Sequence, residues 1–275
     1  MNIGLEPTGE RLIEDAYADS VGAYVIYLMH AASYSHVESL CRGQRVLDLG
    51  CGSGYGAHRI AGVASSVVGG DVATDAIAFA RRRYQADNLT FQTIPQAGPL
   101  PFDDACFDVV LSFQVIEHVE DVDRYLGEAH RVLRPGGTLV VITPDRRHRL
   151  LPRQKPWNRW HLKEYSRQEL EHVVARRFEV QKSLRMGAPD SVAQHEIRRY
   201  RLLKWATLPV TLPFVPESLR RLGLNAMHSL RPKRAAVAAD SQSAREVDYG
   251  FGQEAFEISE DPPNSLNLVL TARKK

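Results

Sequence analysis

From Arg45 onward the chain alternates short apolar runs with longer amphipathic ones. RVLDLG, SVVGGDV, LTFQTI, DVVLSF and TLVVITP read as strands, and Ala57–Ala64, Thr74–Tyr84 and Asp121–Leu133 read as helices. Apolar strands separated by helical crossovers imply a parallel sheet covered on both faces. LRPGG, Leu133–Gly137, carries helix-stop residues and leads directly into a strand. Ser166 and Glu169 have the spacing of a capping box opening the helix SRQELEHVVARRF, and FEVQKSL follows as a strand.

Both ends depart from this rhythm. Residues 1–41 show helical patterning with Tyr17, Tyr24, Tyr27 and Tyr34 and no strand, and read as an N-terminal helical cap. Residues 186–250 read as a basic helical insertion or lid. Arg198, Arg199, Arg201, Lys204, Arg220, Arg221, Arg231, Lys233 and Arg234 face only Glu196 and Glu217, and three prolines separate two amphipathic helices. Within the second, Leu219, Leu222, Ala226 and Leu230 share one face. That stripe either packs on the core or on a second copy, or, with Trp205 and the arginines of residues 198–234, lies on an anionic leaflet. SLNLVLTARKK returns to strand character. The expected division is therefore 1–41 cap, 42–185 core, 186–250 insertion and 251–275 the end of the core sheet.

Composition narrows the partners. With 35 Lys+Arg against 33 Asp+Glu, no overall field favours nucleic acid. Three cysteines without a CxxC pair indicate neither a disulfide framework nor a zinc cluster. The start lacks a signal peptide's apolar run and no window reaches the ~18 apolar residues of a membrane span, so a cytoplasmic protein is expected, peripheral at the inner membrane if the insertion binds lipid.

The chemistry concentrates in VLDLGCGSGYG, Val46–Gly56. Gly50, Gly52, Gly54 and Gly56 sit where a strand turns into a helix, which lets a ligand approach the main chain. Gly52, Gly54 and Ala57 loosely match a dinucleotide fingerprint. Asp48 separates the alternatives: a carboxylate aimed at this loop repels a diphosphate and attracts an ammonium or sulfonium group. Asp71, closing the next strand, stands where an acid accepts from ribose hydroxyls. S-adenosylmethionine (SAM) combines that ribose with a cationic methionine end, whereas NAD does not. The plainer reading of either acid is a turn or helix cap.

Together with LPFDDACFDVVLSFQVIEHV and RVLRPGGTLVV, these stretches resemble the class I SAM-dependent methyltransferases, within the ubiquinone/menaquinone-type (type 11) group, over residues 42–145. The resemblance implies a Rossmann-like, doubly wound, mostly parallel seven-stranded sheet with one antiparallel strand near the end. It also implies that Asp48, Gly50, Cys51, Gly52 and Ser53 line the methionine end of SAM, that Asp71 and Val72 hold the ribose and adenine edge, that Gln96 and Ala97 lie by the adenine, and that Gln114 lies near the sulfonium. Gln96 stands where most relatives carry an acid. TGER (Thr8–Arg11), PWNRWHLKEYSRQEL (Pro156–Leu170) and FEISEDPPNSLNLVLTARKK resemble bacterial methyltransferases of glycan and lipopolysaccharide assembly, which implies a sugar hydroxyl as acceptor.

A sugar hydroxyl must lose its proton as the new bond forms, which calls for a base. His118, after the fourth strand, and His161, in the segment entering the substrate side, are the candidates; a helix-start residue and a packing histidine are the plainer readings. Glu10, Arg11 and Tyr24 of the cap are candidates for binding substrate. No metal site is expected, since there is no HExxH and no clustered oxygen-ligand pattern. Rival readings are a methyltransferase for a quinone or other secondary metabolite, a catalytically silent SAM-binding partner subunit, and an NAD-dependent oxidoreductase.

Overall fold

The computed structural model of the chain describes residues 20–229 and 249–275, together with the backbone of Gly4–Leu5 paired antiparallel with Val237–Ala238. The alternation read from the sequence forms one sheet. Its strands are β1 (Arg45–Leu49), β2 (Ser66–Asp71), β3 (Leu89–Thr93), β4 (Phe107–Phe113), β5 (Leu133–Pro144), β6 (Glu179–Gly187), β7 (Glu257–Ser259) and β8 (Asn267–Arg273). The spatial order is β3-β2-β1-β4-β5-β8-β6-β7. The first five strands are parallel, and β8 lies antiparallel between β5 and β6, with Leu270 opposite Val141 on one side and Ser183 on the other.

The sheet has eight strands where seven were expected. The extra one, β7, pairs antiparallel with β6 at the edge. At three residues it is too short to show an alternating pattern, and its hydrogen bonds depend on β6 being exposed beside it.

Every residue of β4 is buried, because helices cover both faces of the sheet at its centre. On one face lie α1 (Val21–Cys41), α2 (Tyr55–Ala61) and α3 (Thr74–Arg83), whose apolar sides join Val46, Val109, Leu111 and Val140 in one cluster. On the other lie α4 (Val122–Val132) and α6 (Arg167–Ala175), around Leu47, Val110, Leu139 and Leu270. A single turn, α5 (Arg146–Arg149), sits between them in the chain, and α6 opens with the expected Ser166–Glu169 capping box.

The insertion forms α7 (Asp190–Ala206), the short α8 (Leu208–Thr211) and α9 (Glu217–Ser229). Its apolar stripe does not face inward. On α9 the buried side carries Arg220 and Leu224, while Leu219 is 55% and Leu222 68% exposed. Arg220 turns inward because its guanidinium donates to the carbonyls of Pro156 and His161 and pairs with Glu217. Leu230, Arg231, Lys233 and Arg234 lie outside the described residues. Among the described residues no helix is long and apolar enough to cross a membrane.

Candidate functional site

The sheet order reverses at β1, which has β2 on one side and β4 on the other, so a crevice opens at the carboxyl ends of these strands. The glycine loop fills its floor. Gly50 N and Cys51 N both donate to the carbonyl of Gly70, at 2.7 and 3.0 Å, tying the loop to the end of β2. At Gly50 the backbone has φ +92°, and a Cβ there would come within 2.3 Å of the Val115 side chain. Gly52, at φ +54°, has nothing within 4 Å of where a Cβ would project, so the main chain is open to a ligand.

Asp71 caps this cradle from β2. Its two oxygens accept from Gly52 N and Ala73 N, each at 2.9 Å, and each oxygen keeps a second lone pair. Asp48 behaves differently from expectation. It is 1% exposed, does not line the cavity, and its carboxylate accepts from the Tyr34 hydroxyl at 3.1 Å. Burial raises Asp48 to about 7, against the lowering effect of the Tyr34 bond, with Asp71 adding a smaller upward push. Burial also lifts Tyr34 well above its ordinary value and keeps it a donor. The Asp48 charge therefore stands one layer behind the cavity, because α1 lays the Tyr34 ring across it. Gly56 permits this: a Cβ there would fall 1.7 Å from Tyr34 Cζ.

The cavity above the loop has a volume of about 1310 Å³, more than the ~300–1,000 Å³ of a usual small-molecule site. It is lined by Gly50, Cys51, Gly52, Ser53, Asp71, Val72, Gln96, Ala97 and Gln114, the residues the resemblance pointed to, and also by Tyr34, Tyr55, His118, Arg159, Trp160 and Arg221. Val72 is 51% exposed and gives the cavity an apolar edge. Gln114 adopts φ +57°, uncommon for a side-chain-bearing residue, held by its N–H donating to Ile142 O. Sequence reasoning missed Tyr34 and Arg159 as lining residues.

The cap candidates fare otherwise. Glu10 and Arg11 lie outside the described residues. Tyr24 is not at the cavity: its hydroxyl donates to Phe251 O and its ring packs on Tyr249 and Phe251, because that face of α1 meets the C-terminal segment.

His118 and His161 come together, rings edge to face with centroids 4.8 Å apart. His118 closes a short 3-10 turn, Ile116–His118, and its Nδ1 donates to Trp160 O at 3.0 Å. His161 is buried, its Nδ1 3.1 Å from Glu164 Oε1. Glu164 also takes Arg149 Nε at 2.9 Å; the Arg149 and His161 partners outweigh burial and hold Glu164 down to about 2, so it is the acceptor. Close to both histidines stands Glu117, 0% exposed, with Thr143 donating to Oε2 at 2.8 Å. Burial raises Glu117, partly offset by His161 and His118. A second cavity of about 170 Å³ adjoins, lined by His161, Arg149, Trp157, Asn158 and Tyr200 and sharing Gln114, Arg159 and Trp160 with the first.

Comparison with known proteins agrees with this geometry. A family described as methyltransferase domain matches residues 47–141. A protein of Mycolicibacterium smegmatis described as a "probable S-adenosylmethionine-dependent methyltransferase" is 37% identical over 192 residues, 70% of this chain and 72% of its own. A fatty-acid O-methyltransferase of the same organism is 37% identical over 140 residues, covering 50% of this chain and 49% of that enzyme. Among solved structures, a SAM-dependent methyltransferase from Mesorhizobium loti superposes with a TM-score of 0.51 at 18% identity, over 90% of this chain and all of its own, which shows the fold alone.

Proposed function

We propose that this chain, which belongs to the S-adenosylmethionine-dependent methyltransferases, methylates a hydroxyl of a sugar on a glycan, glycolipid or nucleotide-sugar intermediate. When bound, SAM supplies a methyl group on a positively charged sulfur. The chain's own residues fit it: Gly52 leaves the main chain open, Asp71 keeps two lone pairs for ribose hydroxyls, and Val72 offers an apolar edge. The Asp48–Tyr34 pair fixes the floor beneath the methionine end.

The observation that carries the acceptor reading is the histidine pair where the two cavities meet. Transfer to a fatty-acid carboxylate, already ionised at neutral pH, needs no base. An unactivated hydroxyl needs one, typically worth 10²- to 10⁴-fold. His118 and His161 each hold an acceptor through Nδ1, which orients two imidazoles, the side chains suited to taking up a proton near neutral pH, at this junction. The smaller cavity presents Asn158, Arg149 and Tyr200 beside Trp157, a polar and aromatic part suited to a sugar ring, with Met29, Leu203 and Leu224 completing the wall.

The test is to incubate the enzyme with methyl-labelled SAM and panels of saccharides, glycolipids and nucleotide sugars, with fatty acids and quinols alongside. A methyl ether on a sugar carbon, located by NMR, is expected. Label entering only the fatty-acid carboxylate or the quinol would replace this acceptor with one of those.

A further inference from the structure

We infer that Glu117, His118 and His161 form a binding site for one divalent transition-metal cation at the junction of the two cavities. Its role deepens the acceptor-hydroxyl reading, the bound cation then activating the hydroxyl in place of the histidines that hold it; its existence does not depend on that reading.

The three residues each present a ligand atom, all within 4.8 Å of one another, the one such group found among the described residues. Metal–ligand bonds of ~2.0–2.2 Å put tetrahedral ligands about 3.3–3.6 Å apart, so the cluster contracts by up to about 1.5 Å around an ion. Independently, Glu117 Oε1 is fully buried and has no hydrogen-bond partner, while Oε2 is held by Thr143. An orphaned buried carboxylate oxygen is costly unless a cation meets it.

The surroundings match a metal site as well. His118 Nδ1 donates to a backbone carbonyl and His161 Nδ1 to a carboxylate, the kind of outer contact that orients metal-binding imidazoles. Arg149 in turn fixes Glu164. Glu117 O accepts from Leu162 N at 2.8 Å and Lys163 N at 3.2 Å, which clamps the turn carrying Glu117 and His118 onto the loop carrying His161. The two segments that carry the ligands are therefore joined before any ion arrives.

Two imidazoles and one carboxylate suit zinc, manganese, cobalt or iron better than calcium or magnesium. Three protein ligands leave positions open, and these face the cavities, since His118 lines the larger and His161 the smaller. An acceptor hydroxyl in an open position is acidified and loses its proton to water. Its oxygen lone pair then forms the C–O bond to the methyl group, while the C–S electron pair returns to sulfur, leaving a neutral thioether. The cation is unchanged, and no redox partner is needed.

The test uses tag-free, full-length protein stripped with chelator. Titration with Co²⁺, followed by its visible absorption, and calorimetry with Zn²⁺ and Mn²⁺ are expected to give one ion per chain with a dissociation constant below about 100 μM. Glu117→Gln, of the same size, is expected to weaken that binding by more than the ~100-fold that outer contacts alone can cost. Absence of saturable binding below that limit, or binding unaltered in Glu117→Gln, overturns the site and leaves the histidines as a proton relay. If Glu117→Gln does not fold, the wild-type titration decides alone. SAM affinity measured on the same stripped sample separates the two proposals: SAM binding with no saturable metal uptake sinks this inference but not the methyltransferase.

Discussion

The Tyr34 hydroxyl donates to the Asp48 carboxylate across 3.1 Å, with both side chains buried between the first long helix and the first strand of the sheet. The pair sets the charge beneath the glycine loop. Asp48 is held neutral or charged by its burial and its one phenolic donor, not by direct contact with the cavity.

The folded Asp48 value of about 7 lies above the ~3.9 of an unfolded aspartate. Between these values the unfolded chain releases a proton that the folded chain retains, so the contribution of Asp48 to stability is full below about pH 4 and is lost as pH rises through about 7. Asp48→Asn removes the dependence. In calorimetric melts from pH 4 to 8 without ligand, the variant is expected to gain on the wild type as pH rises, by up to about 4 kcal/mol. A difference that stays constant with pH would show that Asp48 titrates normally.

Gly56 is required by the Tyr34 ring. Gly56→Ala places a methyl 1.7 Å from Tyr34 Cζ, and overpacking of this kind costs roughly 1–3 kcal/mol. Urea unfolding is expected to show that loss, with weaker SAM binding as Tyr34 is displaced from the cavity wall. Unchanged stability would mean the ring moves aside without cost.

Glu164 neutralises a buried arginine. Glu164→Gln leaves Arg149, 5% exposed at its side chain, without its carboxylate, which costs about 3–5 kcal/mol for a buried pair. Because Glu164 is held near 2, below its unfolded value, its contribution is present above about pH 4 and lost as pH falls through about 2. The variant is therefore expected to lose stability at pH 7 and much less at pH 2, as read by denaturant unfolding. Equal losses at both would indicate packing rather than charge.

Trp205 is 56% exposed on the insertion, with Leu219 and Leu222 more than half exposed and Arg198, Arg201 and Arg221 at the surface beside them in sequence. Apolar side chains flanked by arginines suit an anionic bilayer surface. The expected outcome is salt-sensitive co-sedimentation with anionic vesicles, weakened ~10-fold or more by joint Trp205→Ser, Leu219→Ser and Leu222→Ser substitution. A dimer that these substitutions dissociate, with no vesicle binding, would assign the face to a second copy instead.

Local pattern made the sheet and glycine loop readable. β1 to β5 announce themselves by apolar runs and stop residues, and the residues carried over from the motifs, Asp48 apart, line the cavity. Contacts between distant segments were not readable. Asp48 was expected to meet the ligand directly, because nothing local says that Tyr34 folds over it. Glu117 and His118 meet His161 through a loop whose course is set by Glu117 O and Arg220. On α9 the hydrophobic periodicity left open whether the Leu219–Leu222 stripe packs on the core, and the inward side goes instead to Arg220, whose guanidinium finds carbonyl partners there. The strand Glu257–Ser259 is visible only once β6 offers it an edge.

Isothermal titration of the full chain with SAM, its demethylated product and NAD addresses the account most directly. Saturable binding of the first two, weakened ~10-fold or more by Asp71→Ala, with no heat from NAD, is the expected result. NAD binding in place of SAM would put a diphosphate over Gly50 and Gly52 and contradict it.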